Sequence, residues 1–383
     1  MAYHKAWLFF NILTLIFLTA CSSQKKTQVT SMKILVGTYT QGKSEGIYRL
    51  DFNPVTGSLS NEGLVVKTQE PSFLVVSKDQ NRVYAVKETE ADKEQKGGGV
   101  SSFQWKAGRD ELALLNNQNS RGAHPCYLSL SENGRFLSVA NYTGGNFAVF
   151  ELDKEGKLKD NPQVRQHQGS GPNVQRQESP HAHCSTWRPD NRYLYVVDLG
   201  IDQVVAYSFD QTSGALGEGE TALKVAGGNG PRLLAFHPTQ KLAFLVNELS
   251  STVLSLSYKE STPALSVIQE KSTLPGDFKG ENSCAHIQLR PDGRFLYVSN
   301  RGHDSIAAFS VSQEGKLALV DIEPTQGHTP RFFTITPDGQ FLLAANQNSD
   351  SVVVFKIDQE SGKLEPTGVK AEVFAPVCLQ FVK

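Results

Sequence analysis

The chain has 383 residues, with 38 basic and 39 acidic side chains and a formal net charge of −1. Charges of both signs are spread along the sequence without long blocks, so it has no electrostatic footprint for DNA or RNA and we expect neither as a partner. The length is ample for one large core.

The first predicted elements are a leader and a tether. His4 and Lys5 precede an apolar run over residues 6–18, which is typical of a secretory signal and too short to span a bilayer. The run ends in LTAC at 18–21, which resembles the lipobox of bacterial lipoproteins; an ordinary signal peptide with an incidental cysteine is the alternative. We expect residues 1–20 to be a signal peptide and 21–32 a polar tether that begins with lipidated Cys21. The predicted location is the cell envelope, with the lipid anchor as the sole membrane contact.

From residue 33 onward the sequence repeats one unit, in which an apolar strand, a short polar turn and a second strand end on Asn or a similar residue. A third strand follows, and then a fourth that starts with Gly-Lys-Leu at Gly156, Gly315 and Gly362. Four strands in a row indicate an antiparallel blade. The residues that close the second strands recur about every 50 positions, at Thr38, Glu88, Asn141, Asp198, Asn247, Asn300 and Asn346.

A seventh copy is divided between the two ends of the chain. Residues 33–40 resemble a second strand with no first strand before it, whereas residues 376–381 resemble a first strand with nothing after it. We expect the C-terminal strand to complete the N-terminal blade and close a ring, because closure hides the sheet edges. The sequence therefore predicts an all-β, seven-bladed β-propeller with four-stranded blades over residues 33–383.

This fold predicts where a site would lie, because first strands start and second strands end on the same face of the disc. Most start positions of the first strands are apolar or small, but three of them are His183, Arg232 and Arg331. Just after the closing residues lie Glu248 in the fifth blade and Arg301 in the sixth. Mutually paired surface charges are the alternative, but clustering on the fourth to seventh blades favours a site.

These residue types suit ester or lactone hydrolysis. A neutral imidazole or a carboxylate can take a proton from water, and guanidinium groups can hold an anionic substrate and stabilise an oxyanion. Arg232 and Arg301 would keep Glu248 ionised, which suits a base. His183 is the better group for transferring protons near neutral pH. The sequence leaves open which of the two is the base.

Metal ligation is not expected. His181, His183, Cys184, Cys284 and His286 are potential ligands, but they lie on separate blades without the short, fixed spacings typical of zinc sites. We therefore predict neither a metal nor another cofactor. An exported compartment permits disulfides, but small buried side chains are the favoured interpretation of the cysteines.

Several motifs together carry a family resemblance: VGTYT at 36–40, PHAH at 180–183, DLG at 198–200, GPR at 230–232, VNEL at 246–249 and SNRG at 299–302. The sequence resembles the lactonase family of seven-bladed propellers, which includes 6-phosphogluconolactonases and a fungal carboxy-cis,cis-muconate lactonising enzyme. The resemblance covers residues 33–383. It implies hydrolysis of a sugar lactone without metal, with His183, Arg232, Glu248 and Arg301 in the active site.

Four further residues on this face are expected to bind substrate, with His181 at the rim: Arg331, His181, Gln347 and His286. Because a phosphogluconolactone is a cytoplasmic intermediate, the export signal indicates another lactone or an acidic sugar outside the cytoplasm. Two alternatives use the same residues: a non-catalytic envelope propeller that binds an anionic sugar or a partner protein, and a lactonising isomerase. The sequence does not indicate an oligomeric state.

Overall fold

The computed structural model describes residues 1–2, 31–92 and 95–383. Cys21 and the predicted signal peptide from residue 3 onward lie outside these ranges, so the leader and its lipidation stay predictions. Within the ranges, no helix has both the length and the apolar character needed to cross a membrane.

The structure is built from strands and short turns. In chain order the strands of the described residues are β1 (Met32–Thr38), β2 (Gly46–Phe52), β3 (Leu59–Lys67), β4 (Leu74–Val76), β5 (Arg82–Lys87), β6 (Ala91–Asp92), β7 (Gln95–Lys96), β8 (Gly99–Lys106), β9 (Glu111–Asn119), β10 (Pro125–Leu130), β11 (Phe136–Asn141), β12 (Asn146–Glu151), β13 (Gln163–Gln166), β14 (Ala182–Trp187), β15 (Tyr193–Asp198), β16 (Gln203–Phe209), β17 (Leu216–Lys224), β18 (Pro231–Phe236), β19 (Leu242–Asn247), β20 (Thr252–Tyr258), β21 (Leu265–Ser272), β22 (Ser283–Leu289), β23 (Phe295–Arg301), β24 (Ser305–Val311), β25 (Leu317–Pro324), β26 (Pro330–Ile335), β27 (Phe341–Asn346), β28 (Ser351–Ile357), β29 (Leu364–Glu372) and β30 (Pro376–Val382). A 3-10 turn, Gln347–Ser349, separates β27 from β28.

The strands form seven four-stranded antiparallel blades, as predicted. The first blade has the order β3-β2-β1-β30, the second β4-β5-β8-β9, and the other five take four consecutive strands each. The C-terminal strand β30 pairs with β1, from Lys33 opposite Val382 to Thr38 opposite Pro376. The innermost strands contact one another in the sequence β30, β4, β10, β14, β18, β22, β26 and back to β30. The predicted closure of the ring by the C-terminal strand is therefore confirmed.

One predicted strand lies elsewhere. The fourth strand of the third blade begins at Gln163 rather than near Gly156. Leu158 forms only an isolated bridge to Leu152, and Pro162, which cannot donate a backbone hydrogen bond to a ladder, precedes the strand. The second blade also carries the small hairpin β6–β7 between its second and third strands.

Burial explains why the second strands are such continuous apolar runs. Every residue of β11, β19 and β27 is buried, because each lies inside its own sheet and has a neighbouring blade on both faces. The outermost strands β17 and β21 expose many of their side chains. Apolar clusters fill the spaces between blades, one joining the fourth to sixth blades and another joining the seventh, first and second.

The turns between first and second strands lie on the face of the disc opposite the charged residues. In the third blade, Gly134 has φ 66°, and its N–H donates to the Ser131 carbonyl at 2.9 Å. Glycine adopts this left-handed conformation without steric cost. Gly293 and Gly339 have φ 75° and 71° at the same position of the sixth and seventh blades. The face with these glycine-containing turns therefore serves chain reversal, and a functional site is expected on the opposite face, where the charged residues lie.

A shared irregularity shapes that opposite face. In the innermost strands the ladder skips one residue near the start, so that residue is unpaired: Val377, Cys126, His183, Arg232 and Arg331 in five of the blades. In the sixth blade the interruption covers Ala285 and His286. Because a β-bulge redirects the side chain of the unpaired residue, the repeat presents this position to the central channel.

Candidate active site

The bulged residues surround a narrow part of the central channel. His183, Arg232, His286 and Arg331 line one cavity with about 20 Å³ of free space. Such a volume admits water but not a sugar. The rings of Phe73, Tyr127 and Phe332 form other parts of the cavity wall, and the first two lie 4.4 Å apart between centroids. A molecule much larger than water would therefore bind at the mouth of the channel, outside this cavity.

Glu248 lies at the centre of the charged residues at this mouth. Its Oε2 atom is 2.9 Å from Arg232 Nε and 3.1 Å from Arg301 Nη2. Its Oε1 atom accepts a hydrogen bond from Arg176 Nη2 at 2.6 Å. The carboxylate is 3% exposed. We call Glu248 with Arg176, Arg232 and Arg301 the arginine cluster; it joins residues of the fifth and sixth blades and of the loop that precedes the fourth.

The charges of the arginine cluster shift one another's pKa values. Burial alone would raise the pKa of Glu248, but Arg301 and Arg232 outweigh this effect and hold the pKa far below its ordinary value of 4.5. Burial, together with Arg301 and Arg331, lowers the pKa of Arg232 to about 10. Arg232 therefore stays protonated at neutral pH. Three guanidinium groups share one carboxylate, which leaves the cluster with excess positive charge.

His183 lies beside this cluster as a neutral group. Its Nδ1 atom is 3.6 Å from Cys126 Sγ, and the edge of its ring faces the Tyr142 ring with centroids 5.3 Å apart. Burial and the positive charge of Arg232 hold the pKa of His183 well below 6.5. An unprotonated imidazole can accept a proton, so the charge state matches that of a base.

A buried hydrogen-bonded chain anchors the segment that carries His183. Asp198 Oδ2 is 2.7 Å from His167 Nδ1, and His167 Nε2 is 3.0 Å from the Tyr207 hydroxyl. The other carboxylate oxygen, Oδ1, accepts from the backbone N–H of His181 at 2.7 Å and of Gly200 at 2.9 Å. A Cβ at position 200 would lie 1.9 Å from a carbonyl oxygen of this segment. The DLG motif therefore lets the segment approach closely.

His181 is buried beside Tyr142 of the third blade. Its ring stacks on Tyr142 with centroids 4.5 Å apart. Its Nδ1 atom is 3.1 Å from the Tyr142 carbonyl oxygen, and its Nε2 atom is 3.2 Å from Glu178 Oε1. Through these contacts His181 packs the segment before the fourth blade against the third blade.

Arg331 belongs to a second, smaller group of charges at the mouth. Its Nη2 atom lies 4.0 Å from Glu88 Oε1, and its guanidinium group lies 5.3 Å from the centroid of the Tyr39 ring. The Tyr39 hydroxyl donates to Glu88 Oε2 at 3.0 Å. The predicted substrate-binding arginine is thus paired on the side of the first and second blades.

The other two predicted substrate-binding residues differ in their distance from the arginine cluster, since only His286 lines the same cavity as Arg232. The His286 ring stacks on Phe332 with centroids 3.9 Å apart, and burial, followed by Arg232, lowers the pKa of His286 to about 3. Gln347 begins the 3-10 turn, where its backbone N–H donates to the Thr329 carbonyl at 3.0 Å. Among the described residues, no hydrogen bond joins the Gln347 side chain to the cluster.

Sequence reasoning did not assign a role to Arg176, Tyr142 or Glu88. Arg176 lies in an irregular loop, outside every repeat position, although it precedes the PHAH motif closely. Tyr142 follows a closing residue but is not charged. Glu88 was recognised only as a closing residue. A carboxylate at a position where four blades have Asn was the available signal.

The potential metal ligands are dispersed. In the described ranges, no group of three or more His, Cys, Asp or Glu side chains is placed to hold a metal ion. Four cysteines are buried and have free thiols: Cys126, Cys184, Cys284 and Cys378. The interpretation of these cysteines as small buried side chains is confirmed.

The fold and the site together define a seven-bladed propeller with a cluster of charged residues at the mouth of its central channel. The family model described as lactonase, 7-bladed beta-propeller matches residues 33–381, so the chain belongs to this lactonase family. It is 37% identical over 348 residues to 6-phosphogluconolactonase of Bacillus subtilis, covering 91% of this chain and 97% of the relative.

Solved structures extend the similarity to three dimensions. The periplasmic gluconolactonase of Pseudomonas aeruginosa has a TM-score of 0.85 and 34% identity, with 92% of this chain and 99% of that chain covered. A Bacteroides fragilis protein has a TM-score of 0.84 and 36% identity, with 93% and 99% covered. These identities mean that the similarity goes beyond the propeller fold.

Proposed function

We propose that this protein is a lactonase that hydrolyses the internal ester of a sugar lactone at the mouth of the propeller channel. The observation that carries the proposal is the neutral imidazole of His183 beside a buried carboxylate that holds three guanidinium groups. The names of the Bacillus and Pseudomonas relatives, a 6-phosphogluconolactonase and a gluconolactonase, support it.

His183 is the base in this proposal. In the tautomer in which Nδ1–H donates to Cys126 Sγ, 3.6 Å away, Nε2 is the unprotonated nitrogen that can accept a proton. His183 takes a proton from water as the water oxygen bonds to the lactone carbonyl carbon. Arg232 and Arg301 stabilise the negative charge that develops on the carbonyl oxygen. The tetrahedral intermediate then collapses, the carbon–oxygen bond of the ring breaks, and the imidazolium returns its proton to the leaving alkoxide.

Glu248 acts as a positioning residue rather than as the base. Each of its oxygens already faces a guanidinium group within 3.1 Å. With both oxygens engaged in this way, the carboxylate is not free to accept a proton from water. Its role is to hold Arg232 and Arg301 in a fixed orientation, which an oxyanion site requires.

Hydrolysis of gluconolactone and its 6-phosphate by the purified protein tests the proposal. We expect His183→Ala to lower kcat about 100-fold or more, with unchanged circular dichroism. His328→Ala is the matched control, since that imidazole is exposed and pairs with Asp304. Background rates for the wild type would refute the lactonase proposal for these substrates. Binding of the lactone without turnover would favour the non-catalytic propeller.

The proposed location is the cell envelope, with a lipid anchor on Cys21. The leader and lipobox-like sequence at residues 1–21 support it, as does the name of the periplasmic Pseudomonas relative. A lactone or acidic sugar outside the cytoplasm is the corresponding substrate. Labelling of cells with a palmitate analogue should mark the wild type and not Cys21→Ser. Equal labelling of both, or of neither, would contradict the anchor.

A further inference from the structure

The loop over residues 167–181 is the longest connection between two blades. Asp198 ties down both of its ends, because one oxygen is 2.7 Å from His167 Nδ1 and the other accepts the backbone N–H of His181 at 2.7 Å. The chain between these two points runs beside the channel mouth. The corresponding connections of other blades are shorter, for example 68–73, 225–230 and 273–282.

A hydrogen-bonded turn holds the middle of this loop in place. Asn173 Oδ1 accepts the backbone N–H groups of Gln175 and Arg176, each at 3.2 Å. The fully buried Gln177 accepts the Asn173 N–H through Oε1 at 3.1 Å and donates through Nε2 to the Leu199 carbonyl at 2.8 Å. Arg176 is therefore presented from a fixed backbone.

The guanidinium group of Arg176 is only half used. Its Nη2 atom donates to Glu248 Oε1 at 2.6 Å and to the Tyr142 hydroxyl at 3.2 Å. Among the described residues, its Nε and Nη1 atoms have no hydrogen-bond partner. The side chain is 40% exposed, whereas Arg232 and Arg301 are 5% and 15% exposed. Arg176 thus offers N–H donors to solvent at the mouth, in the planar arrangement that matches phosphate and carboxylate.

The charge balance at the mouth favours an anion. Within 4.0 Å, two carboxylates face four guanidinium groups: Glu88 and Glu248 against Arg176, Arg232, Arg301 and Arg331. The exposed Glu178 adds a weaker negative charge near Arg176, so positive charge remains in excess. A bound anionic group would reduce this mutual repulsion. Of these four arginines, Arg176 is the most exposed, and an incoming anion meets it first.

We propose that Arg176 determines substrate specificity by binding an anionic group, a phosphate or a carboxylate, on the part of the lactone remote from the ester. This inference rests on the proposed lactonase function, since it assigns the substrate class of the same site. Arg232 and Arg301 remain on the ester, and Glu248 remains paired with both when Arg176 engages the substrate.

The test compares wild type, Arg176→Gln and Arg135→Gln on three lactones: gluconolactone, its 6-phosphate and a lactone with a carboxylate at C6. Arg135 is a matched control, because it is an exposed arginine that lies 3.9 Å from Glu151 on the opposite face. We expect Arg176→Gln to raise KM for the two anionic lactones about 10- to 100-fold, as for loss of a charge-assisted hydrogen bond. The effect of Arg176→Gln on kcat, and on KM and kcat for gluconolactone, should be much smaller than this increase in KM. A KM increase for one anionic lactone alone identifies phosphate or carboxylate as the group bound.

Two results would overturn the inference. One is an equal loss on neutral and anionic lactones in Arg176→Gln, which would make Arg176 a support for Glu248. The other is that the wild-type protein hydrolyses anionic lactones no better than gluconolactone, a result that would leave the lactonase function itself intact. If the wild type hydrolyses none of the three lactones, the lactonase proposal fails, and titration calorimetry with 6-phosphogluconate and gluconate tests Arg176 separately. If the wild type binds 6-phosphogluconate more tightly than gluconate and Arg176→Gln does not, the assignment of Arg176 as the anion-binding residue is supported. Any other outcome refutes that assignment.

Discussion

The sharpest test of the arginine cluster is removal of its central charge by Glu248→Gln. The substitution keeps size and shape but leaves Arg232 and Arg301, which are 5% and 15% exposed, without a carboxylate. Breaking a buried ion pair by removing one partner costs about 3–5 kcal/mol. Arg176 is more exposed and adds little to this value. We therefore expect Glu248→Gln to lower the free energy of unfolding by about 3–5 kcal/mol at pH 7.

Equilibrium unfolding in urea measures this loss. A protein of this size has an m value of about 3 kcal/mol/M or more, so the midpoint should fall by about 1 M. Glu132→Gln is the control, since Glu132 forms an exposed pair with Lys78, and its loss should cost less than about 1 kcal/mol. A loss below 1 kcal/mol for Glu248→Gln would refute the assigned burial and pairing.

The dependence of this loss on pH gives a second criterion. Because folding depresses the pKa of Glu248 below 4.5, its contribution to stability is complete above about pH 4.5 and decreases as the pH falls towards the folded-state value. The difference between wild type and Glu248→Gln should therefore shrink below pH 4.5. A difference that grows on acidification would contradict the sign of the pKa shift.

Three further outcomes follow from the site. Because burial and Arg232 lower the pKa of His183 well below 6.5, kcat/KM should stay level from pH 8 to 6 and fall only at more acidic pH; half-maximal activity at pH 6.5 would exclude this imidazole as the base. Asp198→Asn should lower the free energy of unfolding by about 1–3 kcal/mol in urea melts, since it disrupts the buried hydrogen bond to His167. An unchanged urea midpoint would contradict a stabilising role for this hydrogen bond. For a 6-phosphorylated lactone, kcat/KM should fall several-fold between 20 and 500 mM salt, roughly the range over which screening becomes strong, while gluconolactone serves as the uncharged control; equal salt effects on both would contradict steering by the excess positive charge.

The fold could be predicted from the sequence because it is determined by local features, namely turns and apolar strands. Each tight turn, such as that with Gly134, lies between two apolar strands, and such a unit is recognisable wherever it recurs. Pairing of the C-terminal strand with β1 followed from two incomplete units at opposite ends of the chain. The fourth strand of the third blade was misplaced, because it has only four residues, lies partly exposed and therefore has a weak apolar pattern.

The sequence predicted the site residues only where they lie at positions of the repeat. His183 and Arg232 share one repeat position, and Glu248 and Arg301 share another on the same face, so alignment of the repeats brings them together. Arg176 has no equivalent position, and its 2.6 Å contact with Glu248 joins residues 72 positions apart in the chain. Such a contact depends on the path of an irregular loop, and the sequence of this loop has no periodic pattern from which its path could be predicted.

The sequence by itself therefore determined the architecture, the face that carries the charges and the residue types available for lactone chemistry, because alternation of apolar residues and turn chemistry are properties of neighbouring positions. Only the tertiary structure decided how the charges are partitioned. It added Arg176 to the two arginines that the sequence predicts beside Glu248, placed Arg331 on the side of Glu88 and gave His183 a neutral state. The physical reason is that ion pairing and desolvation depend on distances between side chains, which the ring of blades sets.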